Sequence, residues 1–286
     1  MYSEFLLKEA LETCDGVGVN GFNLTNIRYA DDTVLLADNV QALQQMIDSL
    51  CFTCKSYGME LNAKKTKTMC ISKNTPPTIL LNAEGTSLDQ VHEYQYLGST
   101  ITDDGRVDEE IKRRIGKAKA KFWDCKEFLR RNLNLNLKLR LLRCYVFSVL
   151  AYGCESWQFN NNVKRKLQSF EMWCFRRLLK ISWRDRVSNA NILARLQTER
   201  NLICNLSQRK LSYAGHVLRG SAGILHNIIL EGCIAGRRAR GRQRGKWSDD
   251  VKLWTNSATY AEAKRKAENR VRWRAMVANL RFEDGT

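Results

Sequence analysis

The sequence predicts an α+β fold in two parts, and three observations carry that prediction. Short apolar runs alternate with turn residues and one strong helix up to about residue 104, helical periodicity dominates from Asp108 onward, and the charge changes sign between the two stretches. Residues 1–104 hold 7 Lys and Arg against 14 Asp and Glu, a net −7, whereas the remainder holds 40 against 16, a net +24. The expected organisation is a small antiparallel sheet with helices over residues 1–104, then a basic and mostly helical region over 105–286.

The elements follow in order. Phe5, Leu6, Ala10 and Leu11 mark one face of a short helix ending near Cys14 and Asp15. Val17-Gly18-Val19 and Phe22-Asn23-Leu24 flank Asn20-Gly21, a pair suited to the positive φ angles of a type I′ hairpin turn. Ile27 to Ala37 reads as two strands around a tight acidic turn at Asp31-Asp32. A helix over residues 39–57 is next: Asp38 or Asn39 can cap it, and Val40, Leu43, Ile47, Leu50, Cys51, Cys54 and Tyr57 fall on one stripe before Gly58 ends it. Strands return over 59–71, where Met69 and Ile71 alternate with polar neighbours, and again at Ile79-Leu80-Leu81 and from Tyr94 to Leu97. Helices are predicted at 108–131 and 136–151, around Leu167 to Leu179, at about 199–218, and at about 259–280 with Trp273 and Met276. Between the last two, residues 235–246 form a Gly/Arg segment that cannot pack a core and reads as a loop or flexible arm.

Composition excludes several classes. With 44% hydrophobic residues the chain can bury ordinary cores, which excludes global disorder. Ten cysteines form no disulfide or zinc framework: Cys51 and Cys54 are the only CxxC pair, at helical spacing among apolar residues, so core thiols in a reducing compartment are expected. Cys204, His216, His226 and Cys233 have gaps that fit no common finger. No secretory signal or run of eighteen apolar residues occurs, so no membrane span is expected and the protein reads as soluble and intracellular. The net charge of +17 points to a polyanionic partner, nucleic acid being the commonest, with a membrane surface or a ribosome as the alternatives.

The acidic turn is the most informative local feature. Tyr29-Ala30-Asp31-Asp32 lies between Ile27 and Val34-Leu35-Leu36. Two adjacent carboxylates at a hairpin tip repel unless a cation neutralises them, and hard ions such as Mg²⁺ take oxygen ligands of this kind. Two-metal phosphoryl transfer uses carboxylates that hold two ions about 4 Å apart. A solvated Asp-Asp turn is the plainer reading, and for a bare pair it would prevail; the flanking apolar strands favour the metal-dependent one.

With Thr33-Val34-Leu35-Leu36, this segment resembles the YxDD palm motif of LINE-type (non-LTR) retrotransposon reverse transcriptases. Three further blocks follow in the family's order: Gly58-Met59-Glu60-Leu61-Asn62 with Lys64-Lys65-Thr66-Lys67; Tyr94-Gln95-Tyr96-Leu97-Gly98-Ser99; and Ala151-Tyr152-Gly153-Cys154-Glu155-Ser156-Trp157 with the Gly/Arg segment ending in Trp247. The resemblance covers most of the chain and implies a partial polymerase palm over residues 1–104 and a thumb and C-terminal region over 105–286. It implies RNA-directed DNA synthesis on an RNA template and a DNA primer or target, from dNTPs with Mg²⁺ or Mn²⁺. Asp31 and Asp32 would be the catalytic metal ligands, and Tyr29, Lys65, Tyr96, Leu97 and Gly98 would meet nucleotide and primer. Lys112, Arg113, Lys117, Arg237, Arg238, Arg240, Arg242 and Arg244 are expected to contact nucleic-acid phosphates, the Arg237 to Lys246 run reading equally well as a nuclear-import signal.

The family also has fingers and an earlier palm strand with a further metal-binding Asp, after an N-terminal endonuclease. This sequence starts at Met1-Tyr2-Ser3 inside the helix beyond them, and Asp15, at a helix end, does not match the absent ligand. The expectation is a fragment inactive by itself, from a truncated element copy or an incomplete gene model, or else a non-catalytic nucleic-acid-binding protein derived from a retroelement.

Overall fold

The computed structural model describes residues 2–72, 76–131, 133–234 and 245–281. They form two compact units, residues 2–106 with 224–234, and residues 107–223 with 245–281. The fold is α+β, and among the described residues every strand lies in the first unit.

In that unit α1 (Tyr2–Leu11) precedes two hairpins, β1 (Val17–Val19) with β2 (Phe22–Leu24), and β3 (Asn26–Tyr29) with β4 (Asp32–Leu35). Asn20 and Gly21 have φ of 50° and 81°, as the type I′ turn requires. α2 (Val40–Ser56) starts where Asn39 Oδ1 accepts the Ala42 amide at 2.8 Å. Its apolar face is wider than one stripe. Met46 and Leu50 pack on Leu6, Leu7, Ala10 and Leu11 of α1, while Ile47 and Cys51 pack on Ile79, Leu81, Ala83 and Leu88. A helix with two partners needs apolar residues on two sides, which is why the single-stripe reading fails. Phe5, assigned to the buried face of α1, is 64% exposed instead.

The small antiparallel sheet predicted for this unit is built as separate short ladders. β5 (Lys67–Thr68), β6 (Asn82–Ala83), β7 (Thr86–Ser87), β8 (Asp89–Gln90), β9 (Glu93–Tyr96) and β10 (Ser99–Thr102) join the first four strands in five separate two-stranded ladders. Four are antiparallel, and β5 with β8 is parallel. The strand expected over 59–71 shrinks to Lys67–Thr68. Ile79 to Leu81 is not a strand: Ile79 and Leu81 are buried, but the Ile79 amide donates to the Gln90 side chain at 2.8 Å rather than to a neighbouring strand.

The second unit is helical. The predicted helix at 108–131 breaks at Cys125 into α3 (Asp108–Asp124) and α4 (Lys126–Arg130). The next comprises α5 (Leu135–Leu141), a π-helical turn over Leu142–Phe147, and α6 (Ser148–Leu150). α7 (Asn161–Leu178), α8 (Asn189–Leu196) and α9 (Leu202–Leu218) follow. The chain then returns to the first unit as α10 (Ile224–Glu231), where Ile234 bridges Val19 and the Cys233 amide donates to the Asn20 side chain at 3.0 Å. Back in the second unit, α11 (Trp247–Trp254), α12 (Tyr260–Glu268) and α13 (Arg270–Ala278) complete the described structure. The helix expected over 259–280 is split at Asn269, whose side chain caps α13 by accepting the Arg272 amide at 2.9 Å. One core joins α3, the α5–α6 segment, α7, α8 and the start of α9; a second joins the end of α9 to α11, α12 and α13.

Candidate functional site

The β3–β4 hairpin presents the acidic pair. Asn26 pairs with Leu35, Ile27 with Val34, Arg28 with Thr33 and Tyr29 with Asp32, leaving Ala30 and Asp31 as a two-residue turn. Ala30 has φ +55°, a left-handed conformation that costs a non-glycine residue roughly 1–2 kcal/mol. Leu35 anchors the hairpin against both apolar clusters around α2, and Arg28 donates to the Glu4 carbonyl at 3.2 Å. Tyr29, Asp31 and Asp32 are exposed at the tip.

The second hairpin, β9–β10, meets the first. Tyr96 pairs with Ser99 around a turn of Leu97 and Gly98, whose φ values are +48° and +79°. The Tyr96 hydroxyl donates to the Asp32 carbonyl at 3.5 Å. Burial, then the Asp32 charge, pushes the Tyr96 phenol above its ordinary pKa. Thus residues singled out from two sequence blocks, Tyr29, Asp31 and Asp32 from one and Tyr96, Leu97 and Gly98 from the other, lie on hairpins in direct contact. Lys65 stands in an exposed turn held by its own amide, which donates to Asn62. No contact places it at the hairpin tip. Lys67 is ion-paired with Asp89 at 2.6 Å.

Among the described residues no three His, Cys, Asp or Glu side chains converge as a metal site. Asp31 and Asp32 offer two carboxylates, which suit one hydrated Mg²⁺ completed by water and substrate oxygens.

In the second unit Lys112, Arg113 and Lys117 are exposed on α3. Lys112 is paired with Glu109, and that hydrogen bond raises its pKa. Arg114, next to them in sequence, does not join the basic face: it is buried, paired with Glu110 at 2.7 Å and placed 4.3 Å from the centre of the Tyr152 ring. Arg237, Arg238, Arg240, Arg242 and Arg244 lie outside the described residues.

The blocks around Trp157 and Trp247 surround something sequence reasoning missed. Lys210 on α9 is fully buried, donating to the Trp157 carbonyl at 2.8 Å and paired with Asp250. Trp247, Trp254 and Phe159 surround its ammonium at 5.0, 5.5 and 5.8 Å from their ring centres. Burial lowers its pKa, and the Asp250 carboxylate opposes that. Asp250 also accepts the Phe159 amide at 2.9 Å, and the Trp247 indole donates to the Glu155 carbonyl at 2.7 Å. The only sequence signal was four aromatics and an acid near one helical lysine. The thiols are not uniformly core residues either: Cys51, Cys154, Cys174 and Cys204 are buried, whereas Cys144 and Cys233 are exposed.

Residues 2–101, which include the β3–β4 hairpin and both turns, Ala30-Asp31 and Leu97-Gly98, match the family model described as reverse transcriptase (RNA-dependent DNA polymerase). The chain belongs to a family of transposon-derived proteins related to reverse transcriptases. A transposon-derived protein of Caenorhabditis elegans is 30% identical over 240 residues, 82% of this chain and 86% of that protein. A Drosophila melanogaster protein named "Probable RNA-directed DNA polymerase from transposon BS" is 26% identical over 140 residues, 45% of this chain. Those residues span only 15% of the fly protein. No helix among the described residues is long and apolar enough to cross a membrane.

Proposed function

We propose that this chain is the palm and thumb part of a LINE-type reverse transcriptase, that it retains nucleic-acid binding, and that it does not polymerise by itself. The observation that carries the reading is the contact between hairpins: the Asp31-Asp32 tip and the Tyr96-Leu97-Gly98 turn meet through Tyr96 and Asp32. In a palm, the first would hold the metal and the second the primer end. Tyr29 would flank the nucleotide, and Lys65 would approach its phosphates. Lys112, Arg113 and Lys117 on α3 would follow the template–primer backbone, joined by the arginines of 237–244.

What supports the inactive reading is that, among the described residues, Asp31 and Asp32 gather no third His, Cys, Asp or Glu, while stabilisation of a transferring phosphoryl group by two ions calls for further protein ligands. Primer extension on an RNA template with Mg²⁺ or Mn²⁺ tests this: no dNTP incorporation is expected, and incorporation by the unmodified chain overturns it. If fingers and a first palm segment added in trans restore synthesis, Asp31→Asn abolishes it, since a neutral amide is a poor ligand for a hard dication.

The second reading is a non-catalytic nucleic-acid-binding protein of retroelement origin, favoured by the exposed basic face of α3. It separates from the first in the same assay: added palm segments restore no synthesis, while RNA binding persists.

A further inference from the structure

The pairing of α9 with α13 creates a cleft far in sequence from the acidic hairpin. This cleft, open to solvent, has a volume of about 1020 Å³, and Arg219, His216, Arg270 and Arg274 line it with the amides of Asn205 and Gln208. Arg270 and Arg274 sit on successive turns of α13 and are exposed. Arg219 ends α9, where its Nη1 donates to the Ala267 carbonyl at the end of α12 at 2.9 Å. Its Nε is buried and, among the described residues, has no hydrogen-bond partner. Among the described residues no carboxylate is ion-paired with any of these three arginines; Glu155, at the cleft wall, is taken by Arg209 at 3.3 Å.

This arrangement is unfavourable as it stands. A buried donor without an acceptor carries an uncompensated desolvation cost. Burial, then the charges of Arg270 and Arg274, lowers the Arg219 pKa, so the three cations disfavour one another. An anion with several acceptor oxygens resolves both costs.

We propose that the α9–α13 cleft binds consecutive phosphates of a nucleic-acid strand, with Arg219, Arg270 and Arg274 as the contacting groups. Guanidinium groups match phosphate oxygens with paired N–H donors, and such charge-assisted bonds are the strong ones. Phosphate at the inner end gives Arg219 Nε its acceptor. Asn205 and Gln208 supply neutral hydrogen bonds for the sugars. At this volume the cleft exceeds what one phosphate needs, which favours an extended chain over a small anion. The inference rests on the nucleic-acid-binding reading and adds a place for it.

The test uses the full chain and a fluorescein-labelled single-stranded oligouridine RNA, with anisotropy read across a salt series. The double variant Arg270→Gln/Arg274→Gln changes only exposed side chains, and an unchanged thermal melt checks its fold. The expected result is weaker binding and a log–log salt slope shallower by about 1.4, from two lost phosphate contacts at about 0.7 counterion each. If the native chain binds RNA and the variant keeps its affinity and slope, the cleft assignment falls while the broader reading stands. If the native chain does not bind at low salt, both fall. Inorganic pyrophosphate added at matched ionic strength is expected not to displace the RNA; displacement assigns the cleft to a small phosphate ligand and overturns the proposal. Photocrosslinking with 4-thiouridine RNA is expected to label peptides of α9 and α13, and labelling confined to other helices overturns it independently.

Discussion

The Tyr96 hydroxyl lies 3.5 Å from the Asp32 carbonyl, joining two hairpins across 64 residues of sequence. Each hairpin turns on a non-glycine residue in the left-handed region, Ala30 in one and Leu97 in the other. Both turns therefore carry local strain that the surrounding ladders hold in place, and the tyrosine ties one strained turn to the other.

Tyr96→Phe tests that tie. At the outer limit of hydrogen-bond distance, the loss at neutral pH is expected to stay below about 1 kcal/mol. The pH dependence is more telling. The folded-state phenol is raised, so the unfolded chain loses its proton first as pH rises. Its contribution is complete below the unfolded value near pH 10 and disappears as pH climbs through the folded value. Urea denaturation across the alkaline range reads this out: the phenylalanine variant lacks that part of the decline.

Cys154 gives a larger alkaline effect in the second unit. Burial first, then the Glu155 charge, pushes its thiol from 9.0 to about 12. The same sign applies: stability is complete below pH 9 and is lost between 9 and about 12. Three pKa units correspond to about 4 kcal/mol as an upper bound. Cys154→Ala is expected to flatten this limb, and an unchanged alkaline profile would show that the thiol is not so shielded.

Lys210→Met leaves the buried Asp250 without its cation, an arrangement expected to cost about 3–5 kcal/mol. Lys210→Met/Asp250→Asn is expected to lose less than the single lysine variant, because the uncompensated charge is gone. A double-mutant cycle by chemical denaturation measures the coupling. Equal losses in both would mean that the aromatic ring contacts, not the ion pair, dominate the cage.

Gly215→Ala probes the α9–α13 contact. A Cβ there would come within 2.3 Å of Trp273 Nε1, whose N–H donates to the Leu211 carbonyl at 2.9 Å. Backbone or indole must shift, at an expected cost of about 1–3 kcal/mol. A melting temperature within a degree of the native one would show that this contact yields easily.

Much of this was legible because local chemistry decides it. The Asn20-Gly21 turn, the Asn39 cap and the paired strands around Asp31-Asp32 each follow from a few adjacent residues. The acidic hairpin and the Tyr96 hairpin are both legible from their motifs, but their contact is a tertiary fact. Periodicity failed where one helix serves two partners, as Met46 and Ile47 show, and where a polar cap interrupts a continuous pattern, as at Asn269. Lys210 was invisible for a different reason: a lysine reads as a surface charge, and only packing from Trp157 to Trp254 reveals it as an interior one.

The return of α10 to the first unit bears on how the chain is made. Val19 pairs with Ile234, and Gly232 sits so close to Val19 that a Cβ would fall 2.2 Å from Val19 Cγ1. During synthesis from the N-terminus, the hairpins that carry Asp31 and Tyr96 emerge long before the segment that closes their unit. All of α3 to α9 must leave the ribosome first, so the basic helices are available to fold while the acidic unit still waits for its last piece. A premature stop anywhere before α10 would leave Val19 uncovered, its apolar side chain open to chaperones and proteases.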